Sequence, residues 1–339
     1  METKIYTIET IEEAGQALKN GQIVAFPTET VYGLGAIASN DQAVASVYQV
    51  KGRPSDNPLI VHVSTIEQVI KVVESFPLAA KKLTNVFWPG PLTIILPVRE
   101  GVFAPSVTGG RKTVAFRMPA HSLALALISA CQEPIVGPSA NKSGRPSPTK
   151  VSHVMDDFDG QIAGICDGGM TQIGLESTVL DLSDPEQFSI LRPGFVSREA
   201  IEEVLGLNIH VASEKESAAK DEAPRAPGMK YRHYAPETPV MALSPNGDAW
   251  QAHIKSLNKQ GNKIAILANQ TLVDHFASQV HATYSLGQEG DIQSMAHHLF
   301  DGLRQLDKSG AQVILVESSE DSQLGLAYMN RLKKAVKAD

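Results

Sequence analysis

Residues 51–63 read Lys51-Gly-Arg-Pro-Ser-Asp-Asn-Pro-Leu-Ile-Val-His-Val63. The stretch closes a helix, turns a stiff corner and opens a strand. Upstream, Ala43, Val44, Val47 and Val50 share one face of a helix over 41–50. Downstream, 59–63 is an apolar run of strand length. The same alternation continues in both directions. Strands are expected at 23–26, 92–98, 113–118, 162–166, 178–182 and 188–191, and helices near 65–73, 78–87, 121–131 and 197–205. Thr10-Ile-Glu-Glu13 reads as a capping box that opens a short helix ending near Gly21. Helices interleaved with strands make an α/β domain up to about residue 203.

Beyond it the character changes. Residues 207–226 differ from what precedes them, and 212–224 are polar, charged and free of aromatics, which reads as a linker. An unusual segment follows at 226–236, and then α/β patterning resumes. Residues 263–268 and 313–316 are apolar strand candidates, and Ile292, Met295, Leu299, Leu303 and Leu306 share a helical face over 291–307. A chain of 339 residues fits two such domains. With 42% hydrophobic residues it can build a packed core. The net charge of −7 argues against a protein that grips a nucleic-acid backbone over a broad basic face. Two cysteines, Cys131 and Cys166, are too few for a disulfide framework or a cysteine zinc site. The start of the chain lacks a signal pattern and no apolar run is long enough to cross a bilayer, so the expectation is a cytoplasmic protein with no membrane association.

Common motifs fail. Gly33-Leu-Gly35-Ala-Ile-Ala38 fits a loose dinucleotide fingerprint, but it does not follow a strand directly and Arg53 stands where a ribose-binding acid belongs. Gly137-Pro-Ser-Ala-Asn-Lys-Ser143 lacks the second glycine of a P-loop. No metal-binding histidine spacing and no serine–histidine–acid set is present, and the adjacent His297 and His298 point different ways from one helix.

Four loop-like groups carry polar chemistry instead. Pro27-Thr-Glu-Thr-Val-Tyr-Gly-Leu-Gly35 offers Thr28 and Thr30 to anionic oxygens, or is a tight strand-to-helix turn. Gly52 and Pro54 hold Lys51 and Arg53 in a rigid basic corner, a point charge beside a fork. Residues 138–149 crowd Ser139, Asn141, Ser143, Ser147 and Thr149 beyond an apolar strand end, where α/β sheets place ligands. Arg117, Ser177, Thr178 and Arg192 stand at strand ends, and a buried arginine needs a partner or an anion. His62 reads equally as a satisfied core residue or a ligand contact. Fixed cations and hydroxyls without an evident nucleophile suit adenylyl or phosphoryl chemistry, where positioning and charge stabilisation dominate.

In order, PTETVYGLGA (27–36), KGRPSDNPLIVH (51–62), WPGPLT (88–93), VAFRMP (114–119), GPSANKSGRPSPT (137–149), STVLDL (177–182) and LRPG (191–194) resemble the YrdC-like threonylcarbamoyl-AMP synthases. APGMKYRHYAP (226–236) and the added domain resemble the longer, two-domain branch of that family. The resemblance implies a YrdC-like twisted-sheet domain over 5–205, a linker with a lid-like segment over 206–236, and a smaller Rossmann-like α/β domain over 237–339. It implies that Thr30, His62, Arg117, Ser139 and Ser177 surround L-threonine. It implies that Arg53, Asn57, Thr113, Asn141, Thr149, Arg192 and Tyr234 hold ATP. Lys51, in a signature with Arg53, Ser139 and Asn141, would hold phosphate or bicarbonate, and Lys51 and Arg53 would be the catalytic pair. Ser177 against Thr178, and Tyr234 against Tyr231, stay open as contacts.

The implied reaction joins L-threonine, bicarbonate and ATP into threonylcarbamoyl-AMP and pyrophosphate, with Mg²⁺ accompanying ATP. A separate transferase would then modify tRNA beside the anticodon, direct tRNA binding by this chain being weak or absent. Two other readings compete. One is an RNA-binding translation or ribosome-assembly factor without turnover, supported by the basic loop 142–150 but opposed by an aromatic content of 6%. The other is a carbamoyl transferase of the hydrogenase-maturation type, which would bring acylphosphatase and zinc-finger modules that the sequence lacks.

Overall fold

The computed structural model describes residues 2–212 and 234–336. Most of the segment read as a linker, and the motif at 226–233 read as a lid, lie outside the described residues. The chain divides into two compact units. The first comprises Met1–Ser143, Pro148–Gln172 and Glu176–Tyr231, and the second Gly144–Ser147, Ile173–Leu175 and Arg232–Asp339.

The strands of the first unit are β1 (Lys4–Tyr6), β2 (Val24–Phe26), β3 (Gly33–Ile37), β4 (Ile60–His62), β5 (Leu92–Pro97) and β6 (Thr113–Arg117). They continue with β7 (Ile135–Val136), β8 (Gly164–Cys166), β9 (Thr178–Asp181), β10 (Ser189–Arg192) and β11 (His210–Val211). Its helices are α1 (Ile11–Lys19), α2 (Asp41–Lys51), α3 (Ile66–Ile70), α4 (Leu78–Phe87), α5 (Pro105–Thr108), α6 (Ser122–Cys131), α7 (Val151–Phe158) and α8 (Arg198–Leu205). The strands form one mixed sheet in the order β1-β8-β2-β3-β7-β4-β6-β5-β9-β10-β11.

Alternation sorts the central strands into two faces. Val61, Leu92, Ile94, Leu96, Val114, Phe116 and Leu180 point into the main core. Ile60, Ile95, Ala115, Val179 and Leu191 form a small apolar patch of their own on the other face. His62, Thr93, Thr113, Arg117 and Ser177 alternate with the core residues and therefore frame that second patch.

Most of the expected elements appear with ends moved by a residue or two. Three differences have physical causes. The glycine-rich stretch expected as a loop contains β3, antiparallel to β2 with Phe26 opposite Gly33. It is a strand because the Phe26 ring lies across it: a Cβ at Gly33 would come within 2.6 Å of Phe26 Cζ, and one at Gly35 within 2.8 Å of the Val24 carbonyl. The capping box at the N-terminus sits one turn earlier, where Thr7 and Thr10 enclose a 3₁₀ turn that feeds α1. Residues 210–211 continue the first sheet as β11 beside β10, so the composition change at 207 precedes the end of that sheet.

The second unit contains β12 (Val240–Leu243), α9 (Gly247–Lys259), β13 (Ile264–Ala268), α10 (Gln270–Phe276), β14 (Ala282–Ser285), α11 (Ile292–Asp307), β15 (Val313–Glu317) and α12 (Leu324–Ala335). Its four strands are all parallel, in the order β12-β15-β13-β14. Every residue of β13 and β15 is buried, which is why both read as unbroken apolar runs rather than alternating ones.

Gly33→Ala should destabilise the first unit by about 1–3 kcal/mol, the usual cost of overpacking a filled core. Urea unfolding of the full chain measures it, and an unchanged midpoint would show that Phe26 is free to move aside.

Candidate active site

The site begins at the end of α2. Asn40 caps the helix start by accepting from Ala43 N at 3.0 Å, and Gly52 ends it in the left-handed region at φ 62. That ending leaves Lys51, 3% exposed, on the last turn with its ammonium turned inward. Lys51 Nζ donates to the Ser139 carbonyl, and to the Asn141 carbonyl at 2.5 Å. The Ser143 amide returns a bond to the Lys51 carbonyl at 2.9 Å. Helix end and loop are thus sewn together, and three members of the expected signature meet at one point.

Arg53, the fourth, folds back on its own corner, with Nη2 donating to the carbonyls of Asn57 at 3.4 Å and Pro58 at 3.2 Å. Asn57 is fully buried, and neither atom of its amide has a hydrogen-bond partner among the described residues. A buried amide left unmet on both sides calls for a ligand or water. The parallel register of β4 and β6, with Ile60 opposite Ala115, brings Thr113 to the end of this corner.

Four residues along β6, about 13 Å at the ordinary rise of a strand, stands Arg117. It is register partner to His62 and is 4% exposed. Its Nη2 pairs with Glu29 Oε1 at 2.8 Å, its Nη1 donates to Thr30 Oγ1 at 2.9 Å and its Nε to the Gly90 carbonyl at 3.2 Å. Glu29 also accepts from Ala120 N at 3.1 Å. Thr30 Oγ1 lies 2.8 Å from Thr28 Oγ1, whose hydroxyl donates to the Val31 carbonyl and accepts from two amides, so the turn is fully determined.

His62 packs edge-on against Phe26 with ring centroids 5.4 Å apart. Burial, reinforced by the Arg117 charge, pushes it down to about 3, so the imidazole is neutral. Its Nδ1 faces Gly137, where a Cβ would come within 2.5 Å, and has no partner among the described residues.

Ser177 completes this end. Its hydroxyl lies 2.7 Å from Thr93 Oγ1 and accepts from Arg192 Nη2 at 3.1 Å. Arg192 also donates twice to the Ser177 carbonyl. Thr178 turns the other way and gives its hydroxyl to the Val196 carbonyl at 2.7 Å.

The structure therefore gathers Thr30, His62, Arg117, Ser177 and Arg192 at one end of the central strands. Lys51, Arg53, Asn57, Thr113, Ser139 and Asn141 gather at the other, with the Ile60–Ala115 patch between them. Arg192, expected beside ATP, stands with Ser177, and Ser139, expected beside threonine, stands with Lys51. Thr149 is set apart, fully buried, its amide donating to His153 Nδ1 at 3.2 Å. Tyr234 lies in the second unit at φ 67, its ring centroid 5.2 Å from that of Phe300. Sequence reasoning passed over Glu29, Thr93, His153 and Asp157, which accepts from Lys142 N at 3.2 Å. Only Glu29 carried a signal, since a strand-end arginine demands a buried acid. Among the described residues no group of three or more histidine, cysteine, aspartate or glutamate side chains could hold a metal ion, and no helix is long and apolar enough to cross a membrane.

Known proteins share this fold. The Sua5/YciO/YrdC family model, described as "Telomere recombination", matches residues 16–194, and "Threonylcarbamoyl-AMP synthase, C-terminal domain" matches 196–336. The threonylcarbamoyl-AMP synthase of Bacillus subtilis is 46% identical over 325 residues, 96% of this chain and 92% of its own. That of Pyrococcus abyssi is 44% identical over 337 residues, covering 96% and 95%. The crystal structure of P. abyssi Sua5 complexed with L-threonine superposes with a TM-score of 0.90 at 42% identity, over 98% of this chain and 97% of that one. The chain therefore belongs to the Sua5/YciO/YrdC family, in the form that carries the Sua5 C-terminal domain.

Proposed function

We propose that this protein condenses L-threonine, bicarbonate and ATP into threonylcarbamoyl-AMP, releasing pyrophosphate, and so acts as a nucleotidyltransferase. The observation that carries the reading is the sheet face with two polar ends. One is a hydroxyl-rich cluster built on Arg117, and the other is a basic corner built on Lys51 and Arg53. Relatives of near-identical length named for this activity support it, as does the L-threonine complex of the P. abyssi protein.

The threonine amine adds to CO2 derived from bicarbonate, forming a carbamate and losing a proton. A carbamate oxygen then attacks the α-phosphorus of ATP, and the bond to pyrophosphate breaks. The chain's share is positioning and charge. Thr30 and Ser177 present hydroxyls held in place by Arg117 and Arg192, and His62 offers a neutral ring that does not compete for the carboxylate as a cation would. Lys51 and Arg53 face the phosphates and offset the charge that grows as pyrophosphate leaves. Asn57, with both amide atoms unmet, is placed to take the polar edge of the nucleotide. Mg²⁺ arrives as part of the ATP substrate. The product passes to a separate transferase acting on tRNA in the cytoplasm.

Two outcomes test this. Lys51→Met and Arg53→Ala should each lower threonine- and bicarbonate-dependent pyrophosphate release by about 10²–10³-fold, the range for removing a preorganised charge-stabilising group. Wild-type rates in both variants would remove the basic corner from the mechanism. His62 has its own signature. Between about 3, its value in the fold, and 6.5, the unfolded chain binds a proton that the folded chain refuses. Stability should therefore fall as pH drops through that window, and His62→Gln should flatten this part of the curve in thermal unfolding. A slope unchanged by the substitution would mean that His62 is protonated in place.

A further inference from the structure

The second unit is discontinuous in sequence. It includes four residues from inside the 137–149 loop, Gly144–Ser147, and three that lead to Ser177, Ile173–Leu175. Both short segments rest on α11. Arg304, 7% exposed on the last turn of that helix, donates from Nε and from Nη2 to the Pro146 carbonyl, at 3.0 and 2.7 Å. One turn on, Asp307 accepts from the amides of Glu237 and Thr238 at 3.2 and 2.8 Å. That fixes the irregular stretch 235–238, whose Ala235 amide donates to the Gly144 carbonyl at 2.8 Å. At the other end of the helix, Gly174 lies so close that a Cβ would fall 2.5 Å from the His297 carbonyl oxygen and 2.7 Å from that of Ala296.

We infer that α11 is the bed on which Gly144–Ser147 and Ile173–Leu175 are laid, and that Arg304, by holding Pro146, is a positioning residue for the loop in which Pro146 lies. This rests on the reading that Asn141 and Thr149, on either side of Pro146 in the chain, hold ATP. The Pro146 carbonyl sits between Asn141 and Thr149, and proline has no amide hydrogen, so the carbonyl is the only backbone hydrogen-bonding group at that position. A charged, planar, two-pronged donor fixes its direction as well as its place. Loops that hold a reacting group must keep it within a fraction of an ångström, and a rigid neighbouring element supplies that.

The test uses the full chain with Arg304→Ala and Arg304→Lys. Hydrogen exchange reads the amides of Ala140, Lys142, Ser143 and Thr149, which bond to Tyr32, Asp157, Lys51 and His153. In Arg304→Ala these should lose protection while β12–β15 keep theirs. The KM for ATP should rise about tenfold or more with kcat largely kept, as for loss of a hydrogen bond from a charged group, and Arg304→Lys should restore part of it. Unchanged loop protection, or loss spread evenly through the second unit, would overturn the inference. So would lost protection with unaltered ATP kinetics. If the wild type releases no threonine-dependent pyrophosphate, the proposed function fails separately. The inference is then judged by titrating ATP onto both variants beside the exchange data.

Discussion

A buried ammonium gripping two carbonyls of a distant loop is the contact on which the architecture turns. Lys51 reaches the site only because Gly52 bends the chain into the left-handed region, and the loop reaches Lys51 only because β7 lies between β3 and β4 in the sheet. Removing a buried charge from partners that were arranged for it costs far more than a surface pair would. The same side chain thus shapes the loop and lines the corner.

The face of the sheet that carries the site is divided by alternation rather than by insertion of special elements. One side chain in two goes to the main core, and the other joins the small apolar patch or frames it. In β6 this places Thr113, Ala115 and Arg117 in line, polar at both ends and small and apolar at the centre. An elongated substrate pair, an amino acid against a nucleotide, suits that sequence of surfaces. The buried Glu29–Arg117 pair anchors one end by satisfying a cation that would otherwise be costly to hold.

Much of the layout was legible in the sequence because it is written locally. The helix over 41–50 followed by a strand at 59–63, the capped helix near 197–205, and the unbroken apolar runs that became β13 and β15 all rest on short-range pattern. What escaped was in part set by distant neighbours: Gly33-Leu-Gly35 looks like a turn until Phe26 is known to lie over it. The helix α7 was missed although its signal is local, since Val151, Val154, Met155 and Phe158 share one helical face against the main core. The grouping of site residues was partly legible. Lys51, Ser139 and Asn141 meet, whereas Arg192 stands with Ser177 because a register irregularity in β10 turns it there. That irregularity has no sequence mark.

Phe26 and Gly33 occupy one volume between them. A side chain at position 33 is admissible only if position 26 gives up ring volume, so a gain at the glycine must come with a loss at the phenylalanine. Because that same ring packs against His62, such a compensated exchange would also change what the imidazole rests on. Change in the packing of two adjacent strands is therefore one route by which the surroundings of a buried, neutral histidine shift without any substitution among the polar side chains beside it.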